Sequence, residues 1–164
     1  MDNNATLMQW IEDKLRNEIQ TAAGRKGLEF GSTRCRMAER IRDDFEYLAL
    51  SDPSEEALST LREAAAETDI HLIPYGEIGE DCYFGRFHMV YTLFTFHDLP
   101  HLVDEVMALR RLILKGGKMV IIDDDAEDFH AVCVKQLTRC GFIIREDERK
   151  EIDGRPVFFI SAEK

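Results

Sequence analysis

The sequence predicts an α/β protein: a doubly wound, mostly parallel seven-stranded sheet finished by a C-terminal antiparallel hairpin. Three observations carry this. Short β-rich apolar runs alternate along the chain with segments of helical periodicity. Within Phe87–Asp125 the pattern is strand, helix, strand, the crossover that parallel strands require. At the end, Phe142–Arg145 and Pro156–Ile160 are too close for such a crossover and flank an Asp153-Gly154 turn, so they pair antiparallel.

Each element follows from its residues. From about Thr6 to Ala22, Leu7, Ile11, Leu15 and Ile19 recur every fourth position, while Glu12, Asp13, Lys14, Arg16 and Glu18 take the other faces; Gly24 stops this helix. The first strand, Gly27–Phe30, runs through Gly31 into a helix over about Arg34–Arg42 with Met37 and Ile41 inward. The second strand is Phe45–Leu50. Asp52 follows 21 residues after Gly31, the spacing at which an acid beyond the second strand accepts hydrogen bonds from ribose hydroxyls. The same stretch opens a helix reaching about Glu67: Ser54 can cap it, Glu55 and Glu56 suit its positive end, and Leu58, Leu61 and Ala65 face inward.

A third strand, His71–Pro74, leads to Tyr75-Gly76-Glu77-Ile78 and an acidic loop, Gly79–Gly85, in which Cys82 is an incidental thiol. The fourth strand, His88–Phe94, is apolar on both faces, as a strand covered by helices on both sides should be. His97 and Asp98 fall just past its carboxyl end, the rim at which such sheets bind ligands. Pro100 opens a helix carrying Leu99, Leu102, Val103, Val106, Leu109 and Ile113, and Gly116 and Gly117 stop it. Met119–Ile122 is the fifth strand. Asp123, Asp124 and Asp125 could meet a metal or a cationic substrate, but read more simply as caps for a helix over Ala126–Cys140 with Phe129, Val132, Cys133 and Leu137 inward.

At 164 residues the chain is expected to form one domain, an N-terminal helix over 1–24 and an α/β core over 25–164. A net charge of −11 and a pI near 4.9 oppose non-specific attraction to nucleic acid or anionic lipid, which would be repelled at long range. Four cysteines without a C-x-x-C spacing, no secretory leader and no membrane-spanning run make a reduced, cytoplasmic setting the expectation. His97 and His101 are four apart, but Pro100 lies between them and prevents a helical metal pair, so no metal is assigned.

Several motifs together resemble the class I S-adenosylmethionine-dependent methyltransferases. These are Phe87-His88 opening the fourth strand, His97-Asp98-Leu99-Pro100 after it, Leu114-Lys115-Gly116-Gly117 before the fifth strand, Leu28-Glu29-Phe30-Gly31 after the first helix, and Asp52-Pro53-Ser54-Glu55-Glu56-Ala57-Leu58. The resemblance covers about Gly27–Lys164 and implies a methyltransferase-like Rossmann fold binding S-adenosylmethionine across the carboxyl ends of the first four strands. It implies that Glu29, Gly31 and Thr33 form the cofactor turn, that Asp52 holds the ribose with Pro53 beside the adenine, and that Glu77 and Ile78 meet the adenine edge. Tyr91 and Thr92 would approach the methionine end, and Trp10 or Met8 could line a substrate entrance, although packing on the sheet is the simpler expectation for that helix.

His97 could act as general base toward a hydroxyl acceptor, imidazole titrating near neutrality, or could simply close its turn. The reaction implied is in-line methyl transfer to a small or partner-delivered acceptor, since no capping insertion interrupts the rim loops. The chain departs from the family at His88, where an acid is usual, at Lys115, where proline is common, and at Thr33 and Cys35, which stand in glycine positions. Those departures leave open a degenerate module that binds or regulates without catalysis. A nicotinamide oxidoreductase ranks last, because the G-x-G-x-x-G fingerprint is absent and the closing hairpin does not suit it. The acceptor, the atom methylated and the oligomeric state are not specified by the sequence.

Overall fold

A computed structural model of the chain describes residues 3–31 and 37–164. Helix α1 (Asn3–Thr21) precedes β1 (Lys26–Phe30), α2 (Met37–Ile41), β2 (Tyr47–Ser51), α3 (Glu55–Ala66) and β3 (His71–Leu72). There follow β4 (Phe87–Leu93), α4 (Leu102–Leu112), β5 (Ile113–Asp124), α5 (Phe129–Arg139), β6 (Ile143–Ile152) and β7 (Arg155–Glu163). The seven strands form one sheet in the order β3-β2-β1-β4-β5-β7-β6. β1 through β5 pair in parallel, whereas β7 pairs antiparallel with both β5 and β6. The predicted fold class is the observed one.

The strand order reverses at β1, which lies between β2 and β4. A doubly wound sheet opens a crevice beyond its carboxyl ends at such a reversal, because the connections leave on opposite faces. Alternation along the strands divides the core accordingly. Leu48, Leu50, Met89, Tyr91 and Val120 face α1 and α2, while Leu28, Phe30, Val90, Ile121 and Phe158 face α4 and α5.

α1 is more deeply engaged than its stripe suggests. Glu12 and Glu18, expected on outer faces, are only 7% and 6% exposed. Glu18 Oε2 accepts from Lys118 Nζ at 2.9 Å and from Ser161 Oγ at 2.7 Å, tying the helix to β5 and β7. Glu12 pairs with Arg40 of α2 at 2.6 Å. A helix lying along a sheet covers more than one stripe, so acids beside that stripe are buried with cationic partners.

The Gly116-Gly117 pair does not end α4. The helix stops at Leu112, and Ile113 already pairs with Phe87 in the sheet. The register then advances by two positions along β4 (Phe87 to Met89) against five along β5 (Ile113 to Lys118), and the glycines lie in that bulge. Gly116 has φ +79, and a Cβ on Gly117 would crowd Ile113 and the His88 carbonyl. Helix α5 starts later than expected because Glu127 and Asp128 hold left-handed backbone, with φ of 53° and 60°. Its Val132, predicted inward, is 42% exposed, while Cys133 and Leu137 are buried as expected.

The closing hairpin turns through Asp153 (φ 52°) and Gly154 (φ 78°), the paired positive φ of a type I′ turn. Both its strands are longer than the apolar runs indicate. β6 carries Arg145-Glu146-Asp147-Glu148-Arg149-Lys150-Glu151, charges that suit an unprotected sheet edge. Lys14 of α1 binds Glu146 and Glu148 across it, at 2.8 and 2.6 Å.

Candidate active site

Three loops meet beyond the carboxyl ends of β1, β2 and β4. Gly31 leaves β1 with φ +80, its N–H donating to the Ser51 carbonyl at 2.8 Å. Asp52 follows β2, is 4% exposed, and accepts from the Ser54 N–H at 2.8 Å. Ser54 in turn caps α3, its hydroxyl accepting from the Ala57 N–H at 3.3 Å, so the Asp52 carboxylate is held by the helix it precedes. After β4, Phe94 takes left-handed backbone (φ 52°) and brings Thr95 over Gly31, with Thr95 Oγ1 at 2.8 Å from the Gly31 carbonyl. Gly31, Asp52, Pro53, Thr95, Asp98 and Pro100 line a cavity of about 340 Å³. This is the lower end of the size usual for small-molecule sites, about 300 to 1,000 Å³.

His97 lies beside this cavity in a 3-10 turn, Phe96–Asp98. Its Nδ1 is 2.5 Å from Asp123 Oδ1, and its Nε2 is 3.3 Å from Asp98 Oδ1. Asp123, at the end of β5, is fully buried. Its Oδ2 accepts from the backbone N–H groups of Phe96 at 3.0 Å and His97 at 3.3 Å, and its Oδ1 from Asp124 N–H at 2.8 Å. Burial pushes the Asp123 carboxyl above its ordinary range, and the neighbouring His97 together with these donors pulls it back. The cap predicted for the Asp123–Asp125 run is therefore served by Asp125, which accepts from His130 N–H at 3.2 Å. Asp123 orients the imidazole instead, and Asp124 holds Arg155 at 2.5 and 2.7 Å. The Arg155 guanidinium lies 4.4 Å from the Phe94 ring centre, bracing that residue.

His97, Asp123 and Asp124 can each present one ligand atom within 4.8 Å of the others. In this arrangement Asp123 is engaged by backbone donors and Asp124 by Arg155.

The other predicted site residues lie elsewhere. Glu29 is fully buried against α2 on the α1 face of the sheet, where Tyr91 donates its hydroxyl to Oε2 at 2.6 Å. Burial pushes the Glu29 carboxyl up to about 8, although the Tyr91 hydroxyl and the nearby Ala38 backbone favour the ionised form. Thr92 is fully buried on the opposite face. Glu77 is exposed and Ile78 buried in and after a 3-10 turn, Tyr75–Glu77; neither lines the cavity. Thr33 and Cys35 lie outside the described residues. Trp10 and Met8 pack, partly buried, against the core. Phe94, Thr95 and Asp123 escape a reading of the sequence: the run of three aspartates ending β5 is the one signal, and it does not say which of them turns inward.

No family model matches the chain, and no curated protein matches it. Solved structures do. The chain is similar to an S-adenosylmethionine-dependent methyltransferase from Aquifex aeolicus (15% identity over 92% of this chain and 88% of that one, TM-score 0.75). It is similar to another from Mesorhizobium loti (16% identity, 93% and 96% covered, TM-score 0.72) and to the [4+2]-cyclase SpnF (11% identity, 94% and 80% covered, TM-score 0.79). The chain thus has the fold of the class I S-adenosylmethionine-dependent methyltransferases, as its motifs suggest. No helix among the described residues is long and apolar enough to cross a membrane.

Proposed function

We propose that this protein is an S-adenosylmethionine-dependent methyltransferase acting on a small or partner-delivered acceptor. The observation that carries the reading is the cavity at the strand-order reversal, with the buried Asp52 carboxylate on its wall. These residues fit the cofactor: Asp52 can accept from both ribose hydroxyls, and Pro53 presents an apolar surface to the base. When bound, the cofactor supplies an electrophilic methyl group on a sulfonium.

The chain's own residues then position and deprotonate the acceptor. With Nδ1–H donating to Asp123, and with the Asp98 carboxylate, 3.3 Å from Nε2, displaced by the acceptor, a neutral His97 carries its lone pair on Nε2 and can take a proton from an acceptor hydroxyl. The fold supplies the rest by holding nucleophile and methyl in line, which is worth about 7 to 11 kcal/mol in well-oriented systems. The net charge of −11 and the acids at the rim favour an acceptor that is not anionic.

Calorimetric titration with S-adenosylmethionine and its demethylated product tests this reading. The wild type should bind both, and Asp52→Ala should weaken binding by about tenfold or more, the loss of hydrogen bonds to a buried charge being worth about 1.5 to 3 kcal/mol. No heat and no thermal stabilisation at millimolar ligand would overturn it. A second reading, a module that binds without transferring methyl, is favoured by one contact: Thr95 fills the space directly over Gly31. Similarity to a cyclase also leaves the chemistry of the fold open. Cofactor binding without turnover on any acceptor panel would select that reading.

A further inference from the structure

The opposite edge of the sheet has a cavity that the proposed reaction does not use. Because β1, β2 and β4 are parallel, their first residues Lys26, Tyr47 and Phe87 share the amino edge. With Cys82, Tyr83 and Arg86 they line a space of about 290 Å³, enough for one substituted ring. The β4 strand separates it from the carboxyl rim by about 20 Å at a rise of about 3.3 Å per residue, so a ligand here is not the methyl acceptor.

The walls are aromatic and fixed. Tyr47 stacks on His71 with ring centres 4.5 Å apart, and lies 6.3 Å from the buried Phe87 ring. Two of the residues lining it are cations with donors to spare, although Glu80 lies near its Cys82 side. Among the described residues, Lys26 Nζ has neither an acid partner nor a hydrogen bond, and Arg86 spends only Nε, on the Cys82 carbonyl at 2.8 Å. The hydroxyls of Tyr47 and Tyr83 have no protein partner among them either, and burial pushes both phenols up, keeping them protonated donors. In a chain with 32 acids and 21 Lys and Arg, a cavity whose lining includes two cations and two phenols but no acid differs in character from the chain as a whole.

We infer that this amino-edge pocket binds a small anionic aromatic ligand, its ring between Tyr47, Tyr83 and Phe87 and its carboxylate or other oxyanion on Lys26 and Arg86. Stacking and apolar burial give affinity, and the paired cations select the charge. The inference is independent of the methyltransferase reading.

Cys82 offers a direct test, because it is exposed whereas Cys133 and Cys140 are buried. In a Cys35→Ser background, the rate at which Cys82 reacts with the anionic aromatic disulfide 5,5′-dithiobis(2-nitrobenzoate) is compared with that for the neutral 2,2′-dithiodipyridine. Each rate is normalised to the urea-unfolded chain. Glu80 lies 3.8 Å from the thiol and by itself would slow the anionic reagent.

A working site reverses that order, with the normalised ratio favouring the anionic reagent by about tenfold, the low end of electrostatic focusing. Lys26→Gln with Arg86→Gln should bring the ratio to unity or below, while Arg86→Lys retains it. Millimolar 4-hydroxybenzoate should protect Cys82, and neutral 4-hydroxybenzamide should not. A ratio at or below unity in the folded wild type, a ratio unchanged by the double substitution, or equal protection by both probes would overturn the inference.

Discussion

Replacing Glu29 with Gln should make stability less dependent on pH. The carboxyl is fully buried between β1 and α2, one oxygen accepting from Tyr91 at 2.6 Å and the other, Oε1, having no partner in hydrogen-bonding geometry among the described residues. Desolvation therefore outweighs the groups that favour its charge, and the folded protein holds the proton up to about pH 8 against an ordinary value of 4.5. Between these values the folded state binds the proton and the unfolded state does not, so stability falls as pH rises. The contribution is complete below about pH 4.5, is lost progressively, and is gone above about pH 8. At about 1.4 kcal/mol per pH unit, that interval is worth about 5 kcal/mol as an upper figure. Gln keeps an acceptor for Tyr91 and does not titrate. Urea unfolding of both proteins across this window isolates the residue, because every other titration cancels in the difference. The Glu29→Gln protein should start slightly less stable in acid and gain on the wild type as pH rises, by several kcal/mol at pH 8. Parallel pH profiles would refute the reasoning, showing that Glu29 is ionised in the fold or solvated by opening of α2.

Three further outcomes follow from the geometry. Gly31→Ala should cost about 2 to 5 kcal/mol in thermal unfolding, about 1 to 2 from left-handed backbone and the rest from overlap with Thr95, and the cost should fall in a Thr95→Ala background. Asp123→Ala should lose about 2 to 4 kcal/mol because it strands buried N–H groups, whereas Asp123→Asn should lose less than half of that; urea midpoints distinguish them. On a hydroxyl acceptor, His97→Ala should lower kcat by about 100-fold or more with cofactor affinity unchanged, and a loss confined to cofactor affinity would remove the base role.

What the sequence discloses is what depends on local periodicity. The strand alternation, the α4 stripe and the Asp153-Gly154 turn each report their own backbone, and the parallel sheet with its antiparallel end follows from them with the rule that parallel strands need crossovers. Only the start of β6, within Phe142–Arg145, is legible, because an edge strand needs charges, and the charges that follow erase the alternation that marks a strand. The burial of Glu18 depends on Lys118 and Ser161, 100 and 143 residues away, and no window of sequence contains that triad. The site divides in the same way. Asp52 is legible from its spacing to Gly31 and Ser54, whereas the His97–Asp123 pair joins residues 26 apart, one in the turn after β4 and the other near the end of β5. Tyr91 is placed on the right strand by sequence, but its side chain points into the α1 face because Glu29 lies opposite it in register.

The Gly31–Thr95 contact changes what the degenerate turn means. A glycine after the first strand is usually read as room for a cofactor, but here any Cβ at Gly31 would collide with Thr95 before a ligand is considered. The residue's φ of +80 adds a second, purely conformational demand. Gly31 is therefore required by the fold whether or not the cavity is filled, and its presence carries little weight for ligand binding. Asp52 is different. A carboxylate only 4% exposed faces a cavity at the sheet's switch point, although Ser54 could cap α3 without it. Burying that charge costs stability, which the Ser54 N–H offsets in part at one oxygen. The case for a nucleotide-bearing cofactor thus rests on the acid after β2 rather than on the glycine after β1.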